Sequence, residues 1–264
     1  MISLNDNEQE EIDDDELQEL VLEAQRQALA NVGQEQHKPK QPFPKWLFWL
    51  IAVMMTFNTF AVIFEVFSIP AIEFVKTSAR LSAQDDIASY KKSVVVITTA
   101  DSKGTGFSIS SDGTLLTNNH VVEGNKKVTV SFPGEGVFTA DVVHTYPSID
   151  LAVLEIDGEN LPYLELASQT TFSTDEPIYF IGNPLKFTGI ANEGTIIDYH
   201  QLSDWDEPVI MMKAPVYRGN SGSPVLNHDG QVIGVVFATL EHETYGKVGL
   251  FVPIDAYYDQ QVDE

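Results

Sequence analysis

Past Ser93 the chain runs in short apolar stretches rich in Val, Ile, Phe and Thr, each closed by a turn signal; the first is Val94, Val95, Val96, Ile97. Asp112-Gly113, Pro133-Gly134 and Asp229-Gly230 punctuate the later runs, as hairpins require. About a dozen such runs with no long helical pattern among them predict an all-β domain of two packed, antiparallel, six-stranded barrels. Upstream the periodicity changes. Leu17, Leu20, Val21 and Ala24 fall at helical spacing, predicting a short amphipathic helix from about Ile12 to Ala30 in a solvated tail. Gln, Lys and Pro over residues 31–44 read as linker. Residues 46–64 are 19 consecutive uncharged positions, close to the ~20 that a helix needs to cross a bilayer. The expected organisation is an acidic tail and linker (1–45), one transmembrane helix (46–69), a helical stem (70–92) and the β domain (93–264).

Trp46 and Trp49 stand where an aromatic belt would anchor one end of the span, and Glu65 and Pro70 mark the other. A cleaved signal peptide fits less well, because the apolar run starts 45 residues in and no small-residue cleavage site follows it. Lys38, Lys40 and Lys45 precede the run, against Lys76 and Arg80 after it. The positive-inside rule then predicts a cytoplasmic N-terminus and an extracytoplasmic β domain in a single-pass cell-membrane protein.

Charge narrows the class of partner. The 264 residues carry 39 acids and 15 bases, a net charge of −24. The first 45 residues hold 11 acids against 4 bases, and the remainder 28 against 11. No basic stripe exists to hold phosphates, so nucleic acid is excluded as a partner. With 43% apolar residues the chain can fill one two-lobed core, and with no cysteine it must do so without disulfides.

Gly219, Asn220, Ser221, Gly222, Ser223, Pro224 is the stretch with the clearest chemical content. Glycines at 219 and 222 permit positive φ and let successive N–H groups converge beside a hydroxyl, the arrangement an oxyanion hole needs. A serine nucleophile also needs a base and a carboxylate that orients it. His120 follows the strand-like Gly113, Thr114, Leu115, Leu116, and Asp150 heads the apolar Leu151, Ala152, Val153, Leu154. The chain order His, Asp, Ser is that of chymotrypsin-type enzymes, not of subtilisins or α/β-hydrolases. Taken singly, Ser221 reads as a turn residue, Asp150 as a turn cap and His120 as a loop histidine; the joint match outweighs all three. His228 beside Asp229 is a decoy in a hairpin turn. His37, His144, His200 and His242 lack carboxylate or metal-ligand spacing, and neither a metal site nor a phosphate-binding loop is visible, so no cofactor is expected.

Gly104-Thr105-Gly106-Phe107, Thr117-Asn118-Asn119-His120-Val121, Asp150-Leu151-Ala152-Val153 and Gly219-Asn220-Ser221-Gly222, with the strand-like Val232 to Val235 and Val248 to Pro253, together resemble the trypsin-like serine peptidases of the HtrA/Deg type over residues 87–257. The resemblance implies a chymotrypsin-like fold and a serine endopeptidase acting on polypeptides, in protein quality control or regulated proteolysis. It implies His120, Asp150 and Ser221 as the triad and Gly219, Asn220 and Ser221 as the oxyanion hole. It also implies a homotrimer built through residues 70–95. The family usually carries a PDZ domain after the protease, and none fits in the seven residues past Tyr257.

Departures from the family pattern carry information about specificity. Ser223 stands where the family has a second glycine, as in glutamyl endopeptidases, but the histidine those enzymes place in the next strand is Val236 here. The position of the basic-specific aspartate, six residues before the serine, is Pro215. With Pro215, Val236, Phe237 and Ala238 as pocket wall, a small or medium apolar P1 residue is expected. Tyr217 and Arg218 replace the family's usual residues before the oxyanion glycine. An alternative of another class follows from them: a latent or inactive protease-fold scaffold.

Overall fold

A computed structural model describes residues 14–32, 44–66, 69–184 and 187–262, with the side chains of 60–73 among those outside the description. The chain divides into two units, 1–63 and 64–264. The first holds α1 (Asp14–Val32) and most of α2 (Lys45–Val66). The expected amphipathic helix is thus present as α1, with Leu17, Leu20 and Val21 exposed.

The transmembrane expectation is not carried by the described residues, among which no helix is long and apolar enough to cross a membrane. The apolar segment does fold as a helix, α2, with Trp46, Phe48, Trp49, Met54 and Phe57 exposed. Its described side chains end at Thr59. Residues 60–64 of the expected span lie outside the described side chains.

The second unit opens with α3 (Ile69–Leu81) and α4 (Asp85–Tyr90), over the stretch expected as a helical stem. Six strands follow: β1 (Val94–Thr98), β2 (Lys103–Ser108), β3 (Thr114–Thr117), β4 (Lys127–Phe132), β5 (Gly136–Tyr146) and β6 (Leu151–Glu155). They close into a barrel in the order β1-β2-β3-β6-β5-β4. A second set repeats the plan: β7 (Pro177–Gly182), β8 (Ile190–His200), β9 (Val209–Lys213), β10 (Pro224–Leu226), β11 (Val232–His242) and β12 (Gly246–Pro253). This barrel closes as β10-β11-β12-β9-β8-β7, the same ring order shifted by six strands. The expected pair of antiparallel six-stranded barrels is therefore the fold.

Strand alternation divides the core. In β1, Val95 and Ile97 join Leu115, Val130 and Leu154 inside the first barrel. Val94 points the other way and joins Phe107, Leu116 and Leu151 in a cluster shared with Phe180, Ile181 and Val225 of the second barrel. The period-2 geometry of a strand gives each barrel an interior while leaving a second apolar face to cement the two together. Besides the four-residue helix α5 (Asn119–Val122), one element departs from the all-β expectation: α6 (Ile254–Val262) ends the described chain. It buries Ile254, Ala256 and Tyr257, and the Asp255 carboxylate in its first turn accepts the Thr170 N–H at 2.9 Å. Its apolar residues are few, so the helix rests on tertiary packing more than on periodicity.

Phe180 is fully buried in the shared cluster, so Phe180→Ala should cost about 3–5 kcal/mol of folding stability, read as a lower midpoint in urea denaturation of the chain.

Candidate active site

Strand register brings two of the predicted side chains together. β3 and β6 are antiparallel with Thr117 opposite Ala152, so the residues just after β3 and just before β6 leave the sheet at one end. There the short helix α5 (Asn119–Val122) carries His120, and a single 3-10 turn, Pro147–Ile149, hands the chain to Asp150 at φ 50°. Four hydrogen bonds fix the junction. The Asp150 carbonyl accepts from Asn119 N–H at 3.1 Å and Asn118 Nδ2 at 2.9 Å. One carboxylate oxygen of Asp150 accepts the His120 N–H at 2.9 Å, and the other contacts His120 Nδ1 at 2.6 Å.

That last contact decides the protonation chemistry. A carboxylate at Nδ1 holds the proton on that nitrogen, so in the neutral ring Nε2 is left as the acceptor. The Asp150 hydrogen bond raises the His120 pKa above its ordinary value; partial burial opposes the rise, and the charges of Asp150 and Glu123 add to it. The imidazole is 45% exposed and the carboxylate 15%, so substrate can reach the ring while the orienting group is shielded.

Ser221 sits in a loop of the second barrel shaped by two glycines. Asn220 N–H donates to Tyr217 O at 3.0 Å, closing a turn with Gly219 at φ 98°. Ser223 N–H donates to Asn220 O at 2.9 Å, and Gly222 N–H to Val236 O at 2.8 Å. Among the described residues the Gly219 and Ser221 N–H groups have no partner, the alternation that an anion-binding cup requires. Asn220 is a correction to the expected cup: its N–H is used within the turn, and its buried side chain has neither polar atom partnered.

The loop is seated on the first barrel. Thr105 N–H donates to Ser221 O at 2.9 Å, Thr105 Oγ1 donates to Gly219 O at 2.7 Å, and Thr117 Oγ1 donates to Thr105 O at 2.7 Å. Gly222, at φ 84°, packs so closely that a Cβ would strike the Thr105 carbonyl and Thr117 Oγ1. Since Thr117 precedes His120 by three residues, the serine loop lies on the strands that deliver the histidine. The expected contact from His120 to Ser221 is nevertheless not formed. Ser221 Oγ donates instead to Phe237 O at 3.4 Å, a long bond.

The expected pocket wall divides. Val236 is fully buried in the core and bonds through its backbone to Ser223 and Gly222, so its side chain lines nothing. Pro215 is exposed, while Phe237 and Ala238 are half-buried at a bulge between β11 and β12. Sequence reasoning missed Trp205, whose ring stacks on Phe237 at 4.8 Å and 29°; the available signal was one large aromatic between Asp204 and Asp206 in an otherwise polar loop. It also missed the structural part played by Thr105, whose motif was visible. The His228–Asp229 pair is a surface feature, 3.9 Å apart and 94% and 82% exposed.

The trypsin-like peptidase domain family matches residues 104–235. Among curated relatives, the probable periplasmic serine endoprotease DegP-like of Chlamydia pneumoniae is 38% identical over 155 residues, 57% of this chain and 32% of the relative. Its counterpart in Pseudomonas putida is 34% identical over 164 residues, 61% and 34% of the two chains. The chain thus spans about a third of the length of these relatives. Among solved structures, the Rv3671c protease in a form titled inactive is 31% identical with a TM-score of 0.61, covering 69% of this chain and 94% of that one. The active form, from M. tuberculosis, gives 30% and 0.60 over 69% and 85%. The HtrA-type protease AlgW with a tripeptide is 28% identical at 0.60, covering 66% and 60%.

In NMR titration the His120 ring should titrate above the ordinary value of ~6.5. Asp150→Asn should bring the midpoint down, because it removes the acceptor and the negative charge that favour the protonated ring. An unchanged midpoint in that variant would refute the electrostatic assignment.

Proposed function

Because this chain belongs to the trypsin-like peptidase family, as a serine endopeptidase of the HtrA/Deg type, we propose that it hydrolyses peptide bonds with Ser221 as nucleophile, His120 as general base and Asp150 as the group that orients the base. The observation that carries this reading is the 2.6 Å contact between His120 Nδ1 and the Asp150 carboxylate, which leaves Nε2 as a proton acceptor. In the reaction Ser221 Oγ leaves the Phe237 carbonyl, gives its proton to Nε2 and bonds to the substrate carbonyl carbon. The Gly219 and Ser221 N–H groups receive the oxyanion. The C–N bond then breaks as the imidazolium protonates the leaving amine, and water repeats the sequence on the acyl-enzyme. Neutral His120 is the working form, so the raised pKa places the acid limb of activity above ~6.5, with rate rising as pH climbs through it.

Half-buried Phe237 and Ala238 support a small or medium apolar residue at P1. Relatives named periplasmic support an extracytoplasmic protease domain, working in quality control or regulated proteolysis. The exposed aromatic and aliphatic side chains of α2 support attachment of the chain to a membrane; retention in the membrane pellet after a carbonate wash tests this, and release into the supernatant opposes it.

A second reading has its own observation. Ser221 Oγ bonded to Phe237 O, with no bond to His120 among the described residues, supports a resting form of the enzyme that substrate or another signal must convert. A fluorophosphonate probe separates the readings. Labelling of Ser221 in the isolated chain supports a ready enzyme, labelling only with added peptide supports the resting form, and none under any condition supports a scaffold. Ser221→Ala should abolish labelling and lower peptide hydrolysis by several orders of magnitude; wild-type cleavage of an unfolded test protein by that variant would defeat the assignment.

On short peptides differing only at P1, Val or Ala should give a higher kcat/KM than Glu or Lys. Equal rates for all four would remove the pocket argument.

A further inference from the structure

Helix α3 lies outside both barrels, yet it lays one stripe on the second. Phe74, Ser78 and Leu81 are buried, while Val75, Lys76 and Arg80 are exposed; the spacing i, i+4, i+7 is one face of a helix. Leu81 enters the shared core. Ser78 Oγ accepts the Ala191 N–H of β8 at 3.1 Å, and Arg80 pairs with Glu193 of the same strand at 2.6 Å on the surface. These three residues dock the helix.

Phe74 makes a different contact. Its ring, 6% exposed, meets the ring of Tyr217 edge to face, with centroids 4.9 Å apart and planes at 83°. Tyr217 opens the turn whose carbonyl accepts the Asn220 N–H, and that turn presents the Gly219 N–H. Inside the turn the backbone bonds are not backed by side-chain bonds. Among the described residues the Asn220 side chain, 1% exposed, has neither polar atom partnered, and Ser223 Oγ has no partner either. One face of the turn is tied to the first barrel by Thr105 Oγ1 at Gly219 O. On the other side the Tyr217 ring rests against Phe74.

We infer that Phe74 is a positioning residue for the oxyanion turn, so that the stem helix fixes the direction of the Gly219 N–H through the Tyr217 ring. This inference rests on the proposed acyl transfer at Ser221. It distinguishes Phe74 from the docking residues of the same helix: loosening the stem at its exposed ion pair should leave the turn in place, whereas removing the ring should not. An N–H aimed at the oxyanion acts on the transition state and hardly on bound substrate. The effect therefore belongs in kcat.

The test uses the full chain with Phe74→Ala, Phe74→Tyr, Arg80→Ala and Tyr217→Leu. Peptide hydrolysis should show kcat lowered about tenfold or more in Phe74→Ala with KM within about twofold, since losing a whole oxyanion donor costs about 10²–10³. Phe74→Tyr should restore most of the rate, and Arg80→Ala should match the wild type. In 15N-glycine spectra the Gly219 amide should move in Phe74→Ala and stay in Arg80→Ala, a readout that needs no turnover and so separates this inference from the proposed hydrolysis. If Phe74→Ala does not fold, Tyr217→Leu removes the same ring contact with α3 intact and should give the same loss of kcat and the same amide shift. A folded Phe74→Ala or Tyr217→Leu with wild-type kcat and an unmoved Gly219 amide would overturn the inference, as would a loss confined to KM.

Discussion

The two barrels meet through the hydroxyl of Thr105, whose hydrogen-bonding capacity is fully used. It donates to Gly219 O, and it accepts the Asn183 N–H at 2.9 Å and Asn183 Nδ2 at 3.3 Å. A hydroxyl has one proton and two lone pairs, and all three are engaged here. Asn183 continues the seam: its Nδ2 donates to Val95 O at 2.8 Å, and its Oδ1 accepts the Gly189 N–H at 2.8 Å. Thr105 and Asn183 are both buried, so each bond lies where an unpaired partner would carry a full desolvation cost of about 1–3 kcal/mol. The apolar cluster shared by the barrels supplies adhesion without direction. These polar bonds supply the register that places the serine loop of one barrel on the strands that carry the histidine of the other.

The site is built from ends of strands and from tight turns, where the backbone leaves the sheet and its N–H groups become available. His120 and Asp150 are fixed by four hydrogen bonds, all made within the first barrel. The serine loop draws on both barrels. Its outline depends on Gly219 and Gly222 at positive φ, on Thr105 from one side and on the ring of Tyr217 from the other, while the buried Asn220 side chain contributes no polar bond.

Much of this was legible in the chain. Period-2 apolar runs closed by glycine turns determined an all-β fold of about a dozen strands, because alternation in a strand is fixed by the pleat and not by neighbours. His120, Asp150 and Ser221 could be singled out as candidates because each lies in a recognisable local motif: an asparagine pair before the histidine, an apolar strand after the aspartate, glycines around the serine; of the three, His120 and Asp150 are in direct contact. The exposure of His228 and Asp229 followed from the same local reading.

Other features depended on contacts between residues far apart in sequence, and no local pattern announces those. Side-chain direction at a bulge put Val236 in the core and Phe237 beneath Trp205. Backbone pairing inside a turn took the Asn220 N–H out of the oxyanion cup. Hydrogen bonds to Thr170 and to the Ala167 carbonyl hold residues 254–262 as a helix, whose own pattern is too short to require one, and a ring on α3 came to rest on Tyr217. The amino-acid order thus determined which groups are available and which elements carry them, since those follow from backbone sterics and periodicity. Their distances and free hydrogen-bonding capacity were decided only when the two barrels closed and met.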